Sequence, residues 1–171
     1  MTIHQQPELV FLPDGGSVPN NPDLPVFLLR GAMTGHTSSE ICTRFQKNGW
    51  AGTWTYIVFD FHHYHPNAHE ALCVATGWAD LQLGGIKGPM FRLEPGDLVV
   101  LPAGTGHCRL DMSRDFSICG CYPTGQQEYS TFDAAPRARN RHGQAIEAVP
   151  LPKTDPIFGQ DGPLIAAWGR A

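Results

Sequence analysis

Residues 53–122 are a succession of apolar runs four to eight residues long, rich in aromatic and branched side chains and punctuated by Pro or Gly. Seven strands are predicted there, near 54–65, 70–76, 78–84, 90–94, 97–101, 106–111 and 116–122. Parallel neighbours need crossover connections, usually helical, and no long helical pattern lies between these runs. Successive strands are therefore expected to pair antiparallel, and closing such a set removes its aggregation-prone edges. The expectation is an all-β chain, a small barrel or jelly roll with one or two short peripheral helices. The 19 Gly and 15 Pro of the chain supply the turns such a fold requires.

The flanks read differently. Residues 9–29 carry four prolines around two short apolar runs, which suggests extended segments laid on the body. Thr37 and Glu40 form a capping box ahead of Ile41 and Phe45 at helical spacing, with Gly49 as the stop, so a helix is predicted over 37–48. A second helix is predicted over 136–148, and the chain ends in a short apolar segment, 164–168. At 171 residues, with no repeat and no linker-like stretch, one domain is expected over 1–171. Its barrel core would span about 53–122, with an N-terminal arm 1–52 and a C-terminal extension 123–171. A core of this size folds without a disulfide or metal staple, which leaves any metal free for function.

Charge narrows the partners. Twelve Lys and Arg against 16 Asp and Glu leave a net charge of −4, so a nucleic-acid partner is not expected. The basic cluster Arg137, Arg139, Arg141 and His142 reads as a solvated face. The longest aliphatic run is 98–101 and residues 1–7 are polar, so neither a membrane span nor a signal peptide is expected. Cys42, Cys73, Cys108, Cys119 and Cys121 are odd in number and lack a Cys-x-x-Cys pair, which points to free thiols in a cytoplasmic setting.

Four of the eight histidines fall within ten residues: His62, His63, His65 and His69. Alternate side chains of a strand share a face, so His63 and His65 can aim two imidazoles at one point while His62 faces away. Pro66-Asn67-Ala68 reads as a turn that returns Glu70 beside them. His107, just beyond the turn Pro102-Ala103-Gly104, is a fourth candidate. Three imidazoles and a carboxylate suit one divalent Fe, Mn, Ni, Co or Zn.

These residues stand in two recognisable spacings. His63, His65, Glu70 and Gly77 resemble the first motif of the cupin superfamily, and Gly96, Pro102, Gly104 and His107 resemble the second. Residues 120–126, 150–152 and 161–164 are further similar to a group of small bacterial cupins. The resemblance implies a double-stranded β-helix holding one metal ion through His63, His65, Glu70 and His107, with positions left open for a small molecule. It implies a mononuclear metal-dependent enzyme, oxidoreductase or dioxygenase-like ahead of isomerase, acting on a small oxygen-bearing substrate. A non-catalytic binding or sensing module is the alternative.

Other residues carry open expectations. Arg109 could point into the same cavity and clamp a carboxylate, or form a salt bridge at the barrel end. His69 is a candidate to replace or supplement a ligand, and Cys108 should point away as a small buried hydrophobe. Ile57, Phe59, Phe61, Leu72 and Val74 share the inward parity. Trp54, Tyr56 and Val58 would then form an apolar outer face, covered by the N-terminal arm or by a second subunit in a homodimer.

Overall fold

The computed structural model describes residues 5–169. The expectations on the first four residues and the last two lie outside that range. In chain order the elements are β1 (Glu8–Val10), β2 (Val26–Leu29), α1 (Ser38–Lys47), β3 (Trp50–Tyr56), β4 (His63–Tyr64), β5 (Glu70–Thr76), β6 (Ala79–Leu83) and β7 (Met90–Leu93). Then come β8 (Leu98–Leu101), β9 (His107–Met112), β10 (Ser117–Pro123), β11 (Phe132–Asp133), α2 (Ala138–Glu147) and α3 (Pro163–Trp168). The strands form two antiparallel sheets, ordered β1-β2-β8-β5-β10-β3 and β11-β4-β9-β6-β7. The all-β expectation holds.

Pairing between successive strands does not hold as expected. From β3 to β6 the chain changes sheet at every step, and only β1 with β2 and β6 with β7 pair with their immediate successors. The short connections act as corners rather than hairpin turns. At the corner between β5 and β6, Gly77 has φ +66°, and a Cβ there would lie 2.8 Å from the Phe116 Cα and crowd the Ser113 hydroxyl. Only glycine meets both demands. Gly96 (φ +88°) and Gly104 (φ +89°) also take the left-handed conformation, which glycine adopts without steric cost.

Two apolar layers result. Between the sheets pack Leu72, Val74, Leu81, Leu83, Val99 and Ile118. Outside the six-stranded sheet, Ala71, Cys73, Cys119 and Cys121 pack under Ile41 and Phe45 of α1 and Leu164 and Trp168 of α3. The extended segments of the N-terminal region are part of the sheet itself, since β2 pairs with β8 and is buried throughout. Helix α1 carries the predicted capping box: Glu40 N–H donates to Thr37 Oγ1 (3.3 Å), and Thr37 N–H donates to Glu40 Oε2 (2.8 Å).

The predicted strand 54–65 is two strands in different sheets. β3 pairs with β10, whereas β4 pairs with β9 and β11, and residues 57–62 cross between the sheets with no ladder. Without ladder bonds the alternation lapses, and adjacent residues Ile57 and Val58 both line the interior. Trp54, Tyr56 and Val58 therefore do not form an outer face. The outer side of β3 presents Thr53 and Thr55, which meet Gln46 and Cys42 of α1. A helix of the N-terminal region supplies the cover, so this face gives no argument for a second subunit.

Candidate metal centre

The β4–β9 ladder sets His63 directly opposite His107, with ring centroids 4.0 Å apart. The His65 carbonyl accepts from Gly104 N–H at 2.8 Å, which ties the turn of the second motif to the first. Glu70 opens β5, which runs between β8 and β10. The chain thus brings four of the predicted side chains together, all buried. Candidate ligand nitrogens of His63, His65 and His107 lie within 4.8 Å of one another, and Glu70 Oε2 is 3.4 Å from His65 Nε2 and 3.3 Å from His107 Nε2.

Each imidazole is held by a backbone carbonyl. His63 Nδ1 bonds the Phe61 carbonyl (2.9 Å), His65 Nδ1 that of Ser130 (3.0 Å), and His107 Nδ1 that of Thr105 (2.9 Å). A carbonyl only accepts, so every Nδ1 must be the protonated nitrogen. All three Nε2 atoms are then left with lone pairs facing the same region, the tautomer a metal requires. Glu70 Oε1 accepts from the Tyr122 hydroxyl (2.9 Å), which in turn accepts from Trp54 Nε1 (2.9 Å). Glu70 Oε2 is buried without a hydrogen-bond partner. An orphaned carboxylate oxygen beside three imidazole lone pairs is costly unless a cation completes it. The donor set fits a divalent ion, and the buried histidine triad could hold one.

The electrostatics agree with that chemistry. Burial disfavours the charged form of His63 and, with His107 nearby, lowers its pKa to about 3, so this ring is neutral across the physiological range. Burial acts the same way on His65 but is outweighed by Glu70, and its pKa is raised. Glu70 is penalised by burial, yet His65 and His107 hold its carboxyl well below the usual range. Burial and the charge of Glu70 push Tyr122 upward, so its hydroxyl stays a donor. A proton on His65 is the competitor of the metal. Because the pKa of His65 is raised, that proton is present below a point lying above the ordinary value of ~6.5. Metal affinity is accordingly expected to fall as pH drops and His65 takes up its proton, and metal binding to release that proton. Calorimetry in buffers of different ionisation enthalpy checks this, and an affinity unchanged from alkaline to mildly acidic pH would contradict it.

A cavity of about 320 Å³ opens in front of the four donor atoms. Trp54, Ile57, Phe59 and Leu72 wall it from the barrel, and Tyr129 and Thr131 from the C-terminal extension. Tyr129 packs on His65 (centroids 4.8 Å) and on Tyr122 (4.1 Å). Tyr122, Tyr129 and Thr131 were not among the sequence candidates. Tyr122 shares the parity of Ile118 on β10, a signal usable only once the β10–β5 register is known. Tyr129 lies in a polar stretch with no pattern.

The remaining candidates stand apart. Arg109 is not in the cavity wall, because its Nε donates to the Val58 carbonyl (2.9 Å) and its Nη2 lies 3.9 Å from Asp60. It pins the crossing segment 57–62, together with its own N–H bonded to the Phe59 carbonyl. His69 faces the other side, accepting from Ala103 N–H (2.9 Å) and packing on Trp168. Its pKa is lowered to about 4 by burial. Cys108 is buried with its thiol raised by burial, and all five cysteines are free.

A scan against protein-family models finds no match. Among solved structures the chain is similar to acireductone dioxygenase from Bacillus anthracis with cadmium in its active center, at 20% identity and a TM-score of 0.38, covering 52% of this chain and 60% of that one. It is also similar to an uncharacterized conserved protein with a double-stranded β-helix domain from Klebsiella pneumoniae, at 14% identity and a TM-score of 0.40, covering 79% and 90%. The two antiparallel sheets, with His63 of the first motif paired to His107 of the second, agree with the double-stranded β-helix that the resemblance implied. The uncharacterized protein YjlB of Bacillus subtilis is far nearer, 38% identical over 167 residues that cover 97% of this chain and 99% of that protein. With near-complete coverage at that identity, the chain belongs to the family of YjlB.

Proposed function

We propose that this protein is a mononuclear metal-dependent enzyme acting on a small oxygen-bearing molecule, with oxidation by dioxygen ahead of isomerisation. One observation carries the reading: three Nε2 lone pairs and an orphaned Glu70 oxygen meet at the inner end of a ligand-sized cavity. His63, His65, Glu70 and His107 would hold one divalent Fe, Mn, Ni, Co or Zn. Bound there, the ion supplies Lewis-acid polarisation and, for the redox metals, electron transfer to dioxygen. The chain supplies the rest. Three backbone carbonyls fix the imidazole tautomers, and the Trp54–Tyr122–Glu70 chain of hydrogen bonds orients the carboxylate. Apolar walls exclude water and lower the local dielectric around a bound molecule.

A non-catalytic binding role is favoured by a different observation. Among the described residues, the cavity lining adds to the four donors only the Trp54 indole, Thr131 and tyrosine hydroxyls, none of them suited to act as a general base. Metal analysis of the purified protein followed by oxygen uptake with candidate substrates separates the readings. Stoichiometric metal with turnover supports the enzyme, stoichiometric metal without turnover the binder, and no metal refutes both.

The proposal treats 1–171 as one cupin domain. It places the protein in the reducing cytoplasm, supported by five free thiols. Among the described residues no helix is long and apolar enough to cross a membrane. A homodimer is part of the proposal, supported by the exposed Phe11, Ile86 and Met90 on or beside the edge strands β1 and β7.

A further inference from the structure

The cavity is unusual in what it lacks. Among the described residues neither Lys nor Arg lines it, and the nearby Arg109 is committed to the Val58 carbonyl. Its charge balance is therefore set by Glu70 and the ion alone. Three neutral imidazoles, one carboxylate and a divalent cation sum to a single positive charge. A ligand that delivers one negative oxygen brings the centre to neutrality. A dianion leaves an uncompensated negative charge among aromatic walls, which costs far more than the interaction returns.

Shape and surface point the same way. A volume of about 320 Å³ stands at the lower end of ligand pockets and is enough for a single-ring molecule. Phe59 and Phe61 stack at 5.1 Å with an interplanar angle of 12°, and both remain over 40% exposed. Tyr56, also lining the cavity, is 64% exposed. Phe59 lies at the same time in the cavity wall, so this aromatic surface is continuous with the interior. Ring-to-ring contact is the interaction it is built to make.

We infer that the site takes an uncharged molecule with a flat, ring-sized apolar body, which would offer the ion oxygen and give up at most one proton. Diacids, phosphates and sugar nucleotides are excluded by the missing counter-charge. The inference rests on the metal-centre reading above and names the ligand class for it. Binding transfers one proton from the ligand oxygen to solvent, with no redox change.

The test uses the full-length protein loaded with zinc, whose content is measured before any ligand is added. Calorimetric titration then compares three probes: benzohydroxamic acid, which is neutral and carries a ring; acetohydroxamic acid, with the same chelating oxygens and no ring; and oxalate. Benzohydroxamic acid is expected to bind at least about tenfold more tightly than either of the others, because only it buries a ring without adding a second charge. Phe59→Ala, compared at its own measured zinc content, is expected to erase most of the ring advantage, read as the ratio of benzohydroxamic to acetohydroxamic acid affinity, a ratio that cancels any change at the metal itself. Oxalate binding as tightly as benzohydroxamic acid, or a ring advantage absent in the unaltered protein or undiminished in the Phe59 variant, overturns the inference alone. Failure to take up zinc overturns the metal-centre reading, and the inference with it.

Discussion

Replacing His107 with Ala should yield a folded barrel that no longer holds metal in stoichiometric amount. His107 is the only donor from the second motif, and its Nε2 stands 3.3 Å from Glu70 Oε2 while its ring lies 4.0 Å from that of His63. Removing it leaves two imidazoles and one carboxylate, and affinity should fall by at least about a hundredfold, beyond the loss seen when an outer partner of a ligand is removed. The fold should survive, because the vacated space adjoins an existing cavity rather than a packed core. Circular dichroism and elemental analysis on the same sample read both halves of the expectation. Normal metal content would show that the second motif supplies no ligand. His69→Ala is the control: its Nδ1 is spent on Ala103 N–H and it stands outside the histidine triad, so metal content should be unchanged.

The second large effect falls far from the metal. Trp168→Ala should cost about 3–5 kcal/mol of unfolding free energy, a large share of the roughly 5–15 kcal/mol that stabilises a domain. Trp168 is 2% exposed, packs with Phe27, Ile41 and Leu164 outside the six-stranded sheet, and donates from Nε1 to the Pro25 carbonyl at 3.0 Å. It ties α3 to the strand that follows Pro25. Asp155 holds the approach to α3, accepting from the N–H groups of Ile157 and Leu164. Urea unfolding of the variant measures the loss. Unchanged stability would mean that α3 contributes nothing to the core.

The two predictions divide the molecule in a way the sequence only half anticipates. Helix α1 is legible from Thr37, Glu40, Ile41 and Phe45 because capping and helical spacing act within one turn. The strands β5 to β10 are legible within a few residues of their ends for a similar local reason, the Pro and Gly turns that bound them. The sheet exchange at the corners is not legible, since a short turn between two apolar runs looks the same whether it closes a hairpin or turns a corner. Helix α3 is likewise hidden in an apolar tail of five or six residues.

By itself the sequence determined that the chain is built of short antiparallel strands and that His63 and His65 can point one way with Glu70 returned beside them, because alternation and turn chemistry are properties of neighbouring residues; His107 joined them only through the resemblance of the second spacing. Tertiary structure alone decided which way residues 57–62 turn, why Arg109 grips Val58 instead of facing the cavity, and how Tyr122 and Tyr129 come to stand over Glu70 and His65. Those outcomes depend on the register between strands distant in sequence. Where a segment leaves the ladder, no local rule carries its side-chain direction across the gap.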